Sequence, residues 1–531
     1  MLISISTSRL LLLPPTVYVL GLVIKRIWVR GKRWRWRGRG EELELKVKLP
    51  LPPGPPLAGN WFVGSLSVFR TEYVWQTFAE WSKSLGNVIY FEVFGRPFVV
   101  LNALEDAKAL LEKQSIIYSD RPRMVYIPEM LKLRSVTFLS YGELWKLHRR
   151  LLTQQLNPRA IDIYQPWQVQ STVDLLKELL EAKDDFWTCS KKFAASSVLL
   201  ATYEHQVTQK DDPLVEANEY TEQLLVKPGA PGTTAVDLFP PLKWIPSFLP
   251  GGSLRRLADE GREALRTMLD APYNKVKEMR AAGIAGPSLL SNMLDEYERK
   301  GTNDEIVFES IRDVCGSMYR AGVTTTSNTL RVFVLAMLLF PDVAKKAQNE
   351  LDSVLGGDRL PRFDDRKSLS YVDCILKECL RWRPPLPLGL AHAAKQDGEL
   401  NGMLIPGGSL IMPNIWNIMH DEHHYENPND FNPDRFLRDE SSGTILDPGN
   451  AVFGFGRRIC PGRHFALASL WIAASSILSV FDILPALDED GREILPRGEF
   501  TSGMANLAVK FDCRFVPRNE KLRQLVEILH S

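Results

Sequence analysis

One cysteine, Cys460, stands in the run Phe453-Gly454-Phe455-Gly456-Arg457-Arg458-Ile459-Cys460-Pro461-Gly462, between a glycine turn and the start of an apolar helix. Glycine has no Cβ, so Gly454 and Gly456 let the backbone turn tightly and lie close to a flat group, while Pro461 suits a helix start. Backbone N–H groups at that start favour a sulfur anion. Structural zinc needs four protein ligands, and no C-x-x-C pair stands at Cys460; a lone thiolate points to haem iron instead. The competing reading is a buried, inert free cysteine beside a turn.

Four further groups of residues carry potential chemistry. Ala321-Gly322-Val323-Thr324-Thr325-Thr326 places a glycine and three hydroxyls inside a long helical pattern. There Gly322 permits close approach of the backbone, and a threonine hydroxyl can bend a helix by bonding a carbonyl one turn back. Glu378 and Arg381 share a helix face at a spacing of three, a pairing that is also common on solvated helices. Trp145 and Arg149 are likewise one turn apart, and an arginine fork suits buried carboxylates. His392 follows Gly389-Leu390-Ala391, where a satisfied core histidine is the competing reading.

These segments resemble the cytochrome P450 family. Phe453, Gly456, Arg458, Cys460 and Gly462 fall on its haem-binding pattern F-x-x-G-x-R-x-C-x-G. The resemblance implies that Cys460 is the axial thiolate of haem b, with Arg458, Trp145, Arg149 and His392 as partners of the haem propionates. It also implies that Gly322 lies at the oxygen side of the haem, with Thr325 at the family's alcohol position. Thr324 stands where the family usually has an acid; a hydroxyl relays a proton through water but cannot hold the charge that attracts one. Glu378 and Arg381 match the family's E-x-x-R, and Arg435, in Phe431-Asn432-Pro433-Asp434-Arg435-Phe436, matches its later arginine; the resemblance makes these three structural. The activity implied is insertion of one oxygen atom from O2 into a lipophilic small molecule, with electrons from an NADPH-dependent flavoprotein reductase. Among family members the chain is most similar to fungal ones of specialised metabolism, such as the O-methylsterigmatocystin oxidoreductase group, which suggests a terpenoid or polyketide substrate. A haem-thiolate isomerase, dehydratase or peroxygenase would tolerate Thr324, and a membrane haem-binding protein without turnover is the reading from another class.

The elements that must position these residues are mostly helical. Apolar periodicity predicts strands over 88–93 and 97–101, then helices over 105–113, 141–152, 168–182, 253–281, 304–340, 341–355 and 369–383. Thr302 with Glu305 predicts a capping box at the start of the longest helix, which is apolar enough to cross the core. The expected fold class is mainly α with small β-sheets, in the P450 fold with an N-terminal membrane anchor.

Length and composition bound the rest. The 531 residues show no internal repeat, and 45% are hydrophobic, which suits one large catalytic domain over 57–531. A net charge of +1 gives no reason to expect nucleic acid. The six cysteines lack framework or C-x-x-C spacing, which fits a reducing compartment; Cys374 and Cys379 read as core residues. No dinucleotide or P-loop motif leaves room for a reductase, so electrons must come from another protein, with Lys146, Arg150, Arg457 and Arg463 as its basic docking face or simply a solvated one. Residues 10–24 carry no charge and are followed by Lys25, Arg26, Arg30, Lys32, Arg33, Arg35, Arg37 and Arg39, which predicts a membrane anchor over 1–24 with its basic flank in the cytosol. An uncleaved endoplasmic-reticulum anchor is expected, then a basic flank and stiff proline hinge over 25–56.

Overall fold

Val88–Val93 and Arg96–Leu101 are rich in β-branched and aromatic residues, and the two residues between them, Phe94 and Gly95, have φ of 49° and 71°. Two positive φ values in a two-residue loop match the right-handed twist of the flanking strands and close a tight hairpin. These strands, β1 and β2, pair antiparallel; β2 then pairs in parallel with β6 (Leu410–Pro413), which pairs antiparallel with β3 (His392–Ala393). A separate hairpin joins β4 (Gly398–Leu400) to β5 (Met403–Ile405).

A computed structural model of the chain describes residues 49–55, 64–181, 185–207, 212–226, 234–437 and 445–528. The expected anchor over 1–24 and the basic flank up to residue 48 lie outside the described residues. The chain divides into two units, each assembled from three discontinuous stretches. The first takes the described part of residues 1–132 with 224–262 and 391–413, and holds both sheets above. The proline tract is tied into it: the N–H of Tyr90 donates to the Pro53 carbonyl and that of Leu404 to the Pro50 carbonyl, each at 2.8 Å. A Cβ on Gly54 would fall 1.9 Å from the Tyr90 carbonyl oxygen, so only glycine fits there.

The second unit, 133–223, 263–390 and 414–531, is helical apart from one sheet of β7 (Phe481–Leu487), β8 (Glu493–Ile494) and β9 (Cys513–Pro517). Its core gathers Phe193, Phe333, Ile375, Trp471 and Ile477 from four helices, Phe186–Tyr203, Glu305–Leu339, Ser370–Trp382 and Arg463–Val480. Glu305–Leu339, the central helix, and Arg463–Val480 are long and apolar enough to cross a membrane, but both are mostly buried inside the protein. The central helix is not capped by the expected Thr302–Glu305 box. Asp304 is the N-cap, and its carboxylate accepts the N–H of Ile306 at 2.9 Å; a residue one position before the first turn reaches those amides more directly. Helix Phe186–Tyr203 is absent from the sequence-based expectation because it is buried on nearly every side and shows no alternation of polar and apolar faces. The expected helix over 105–113 starts as α at Leu104–Lys108 and continues as a π turn over Ala109–Lys113.

Burial also sets a pH dependence. His148, on the helix Glu143–Gln155, is fully buried, and neither ring nitrogen has a partner among the described residues. Desolvation, helped by the Arg134 charge, pulls its imidazole down to about 4. The unfolded chain takes up this proton below pH ~6.5 and the folded one does not, so stability falls as pH drops from about 6.5 towards 4. The loss amounts to about 3 kcal/mol at ~1.4 kcal/mol per pH unit. Urea unfolding of His148→Leu at pH 7 and at pH 4.5 should show this part of the acid loss removed; an unchanged difference between the two pH values would count against it.

Candidate active site

The cysteine loop is built by two left-handed glycines. Gly454 and Gly456 have φ of 78° and 54°, and a short 3-10 turn, Gly456–Arg458, leads to Cys460. The N–H of Cys460 returns to the Phe453 carbonyl at 2.8 Å, closing the loop on itself. Helix Arg463–Val480 begins just after, with Gly462 as its N-cap, so Pro461 precedes the helix rather than opening it. Cys460 is half-buried. Burial pushes its thiol above the ordinary range, and the Gly462 and Arg463 amides and the Arg149 and Arg463 guanidinium groups pull the other way. A metal cation at the sulfur would complete what these groups begin.

Two arginines clamp the loop backbone. Arg149 donates from Nη1 to the Ile459 carbonyl, and Arg463 donates from Nη1 to the Cys460 carbonyl at 3.3 Å. Arg458 donates to the carbonyls of Val136 at 3.1 Å and Leu139 at 2.7 Å, and its guanidinium lies 4.5 Å from the centre of the Trp145 ring. The buried Trp145 Nε1–H has no partner among the described residues. Thus Cys460, Arg458, Arg149 and Trp145 come together in the second unit, with Phe453 as the carbonyl anchor of the loop.

Glu378, Arg381 and Arg435 also meet. Glu378 and Arg381 are fully buried; Arg381 Nε and Nη2 donate to the Glu378 carboxylate at 2.6 and 2.8 Å, and Arg435 Nε joins at 3.3 Å. Asp434, which replaces the family's glutamate, points instead to Lys346, whose Nζ lies 2.8 Å from both carboxylate oxygens.

On the central helix the Thr325 hydroxyl donates to the Ala321 carbonyl and that of Thr329 to the Thr325 carbonyl, each at 2.9 Å, and Ser327 bonds the Thr324 carbonyl at 3.2 Å. Ala321 is exposed and Thr324 and Thr325 are half-exposed, although the helix is buried on either side. The Gly322 position has a packing reason: a Cβ there would come within 2.9 Å of Val198 Cγ2 on the helix Phe186–Tyr203.

His392 belongs to the first unit, where its Nδ1 lies 2.8 Å from the Tyr118 carbonyl oxygen. Arg121 is buried beside it and donates from Nη1 to the Ala391 carbonyl at 2.8 Å. Sequence reasoning missed Arg121 because its partner is far away in the chain and no helical spacing links the two. Of the expected basic docking face, Arg457 is engaged locally, donating to the Tyr141 hydroxyl at 2.6 Å.

The family model for cytochrome P450 matches residues 52–511. The chain belongs to the cytochrome P450 family. It is 35% identical over 480 residues to cytochrome P450 monooxygenase 136 of Postia placenta, covering 89% of this chain and 90% of that protein. To cytochrome P450 monooxygenase claT of Ampulloclitocybe clavipes it is 38% identical over 478 residues, covering 90% and 93%. Among solved structures, a zebra fish cytochrome P450 determined with progesterone shares the fold, with a TM-score of 0.71 at 24% identity over 84% of this chain and 99% of that one. This P450 is therefore a haem-thiolate monooxygenase with haem b as its cofactor, and its mostly helical fold with small sheets is the one the resemblance implied.

Proposed function

We propose that Cys460 is the axial thiolate of this P450 and that the enzyme inserts one oxygen atom into a lipophilic small molecule of fungal secondary metabolism, a terpenoid or polyketide. The seat of Cys460 carries this reading: a half-buried sulfur at a helix start, faced by two backbone amides and two guanidinium groups, on a loop held by its own backbone. The residues fit haem. Trp145 offers a buried N–H without a partner among the described residues, Arg458 stacks over it, Arg149 stands by the sulfur loop, and Ala321 is exposed on an otherwise buried helix. Haem, when bound, supplies activation of O2 and transfer of one oxygen atom to the substrate.

The protein's own part is to hold that group and to manage protons. Arg458, Arg149 and Trp145 would neutralise and bond buried propionates, which need fixed donors when water is excluded; the role of His392 rests on the family resemblance alone. Thr325 and Thr324 organise a water relay along the Ala321–Thr325 turn, with the carbonyl of Ala321 fixing the Thr325 hydroxyl. Gly322 keeps the central helix close to its neighbour and so sets the depth of that turn.

The chain works at a membrane. Trp244 and Phe248 in the first unit are 71% and 82% exposed, and Leu249 beside them is exposed too, a patch suited to a bilayer surface, which fits a chain anchored in the endoplasmic reticulum through residues 1–24. An NADPH-dependent flavoprotein reductase supplies electrons through Lys146 and Arg150, which are exposed and basic.

The test is expression with such a reductase. The reduced protein with carbon monoxide should show the red-displaced absorption of a sulfur-ligated ferrous centre, and mass spectrometry of a terpene panel should show products gaining one oxygen. Bound haem without that absorption would sink the assignment of Cys460. In Thr325→Ala, product per NADPH should drop by roughly tenfold, less than the ~10²–10⁴ of a positioned proton-transfer group because Thr324 and water remain; unchanged coupling would remove Thr325 from the relay.

A further inference from the structure

The central helix meets the helix Pro213–Val226 along a buried polar seam in the second unit. Asn218 and Thr221 are 2% and 1% exposed, and their spacing places them on one helix face with Glu222. Opposite stands Arg320, 6% exposed, which donates from Nη1 to Glu222 Oε1 at 3.1 Å and from Nη2 to Ser135 Oγ at 3.3 Å. Its guanidinium lies 5.4 Å from the centre of the Phe138 ring. The Tyr319 hydroxyl donates to the Leu214 carbonyl at 3.0 Å. These two contacts hold the helix to the central helix on either side of Asn218 and Thr221.

Three buried polar atoms in this seam have no partner among the described residues: Arg320 Nε, Asn218 Oδ1 and Thr221 Oγ1. The first only donates, the second only accepts and the third does either. Left unmet, each costs about 1–3 kcal/mol, so three in one seam point to a group that comes from outside the chain. Glu222 already balances the Arg320 charge, and an anion would meet that carboxylate. A neutral hydroxyl accepts from Arg320 and donates to Asn218. Arg320 directly precedes Ala321, the exposed start of the turn assigned to oxygen chemistry.

We propose that the substrate is a lipophile already carrying a hydroxyl group, which Arg320, Asn218 and Thr221 recognise; this rests on the monooxygenase reading above. An earlier oxygenation or hydrolysis must then supply the alcohol, and this enzyme performs a later oxidation. The probes are a sesquiterpene hydrocarbon and its monohydroxylated counterpart, titrated into holoenzyme and followed by the change in haem absorption. Wild type should bind the alcohol at least ~10-fold more tightly, about 1.4 kcal/mol. Asn218→Leu and Thr221→Val should weaken binding of the alcohol by roughly tenfold, abolishing its preference over the hydrocarbon. Equal affinities in wild type would mean that water alone fills the seam, and would overturn the inference while leaving the monooxygenase reading intact. Neither probe binding, in protein that shows the thiolate absorption with carbon monoxide, would overturn the lipophile reading as well. If the variants do not fold, the wild-type comparison decides, checked by a larger rise in melting temperature with the alcohol than with the hydrocarbon.

Discussion

Replacing Cys460 by serine should leave a folded protein that makes no product. The loop does not depend on the sulfur for its shape: the Cys460 N–H bonds the Phe453 carbonyl, and Arg149 and Arg463 hold the carbonyls of Ile459 and Cys460. Serine presents the same Cβ and a similar volume, so circular dichroism and melting of the variant should stay close to wild type. A hydroxyl is not a thiolate, however. It remains protonated at neutral pH and gives iron little electron density. Product formation should drop by roughly a thousandfold or more, the scale seen when a member of a unit that acts together is removed. With carbon monoxide the reduced variant should lose the red-displaced absorption. Retention of that absorption in Cys460→Ser would show that another residue donates the ligand.

The second large effect is expected at Glu378, for a different reason. Arg381 has five N–H groups, and all five are used: three to the carbonyls of Met419, Pro428 and Asp430, and two to Glu378. Glu378 also accepts the N–H of Asn432 at 2.7 Å and Nε of Arg435. The pair therefore ties the helix Ser370–Trp382 to the segment that carries Pro428 to Arg435. Glu378→Ala leaves two guanidinium groups facing each other without their shared counter-charge, at about 3–5 kcal/mol. This is a large part of the stability of most domains. Little soluble haem-loaded protein should be recovered. Glu378→Gln keeps an acceptor oxygen and the side-chain volume but not the charge, so it should fall between the two. The haem-to-protein absorbance ratio after purification reads this directly, and an Ala variant loaded to the wild-type level would remove the network from its supporting role.

What the sequence could announce depended on how far apart the interacting groups lie. The Cys460 loop, Glu378–Arg381 and Trp145–Arg149 are local, so residue type and spacing alone brought them into view. Arg381's three carbonyl partners lie 38 to 49 residues away, and those of Arg121 and His392 some 270 away, so no periodicity announces them. The cap of the central helix went to Asp304 rather than Thr302 because capping depends on the backbone angle where the chain enters the helix. The pairing of Asp434 with Lys346 crosses 88 positions of the chain and has no spacing signal either. The seam of Asn218, Thr221 and Arg320 was invisible for the opposite reason: polar residues on a helix read as a solvated face until a neighbour covers them.

The parallel pairing of β2 with β6 has a consequence for biosynthesis. Leu101 and Leu410 belong to adjacent strands of one sheet but are separated by 308 intervening residues. At roughly 5–20 residues per second, a ribosome needs about 15–60 s to cross that interval. For that time β2, with Phe98, Val99 and Val100, has emerged with one hydrogen-bonding edge still waiting for its partner. Vectorial, N-terminus-first folding is closed to the first unit. Its nascent hairpin keeps that open edge until residues 410–413 leave the exit tunnel, so slowing translation across the interval should raise the yield of aggregate rather than of enzyme.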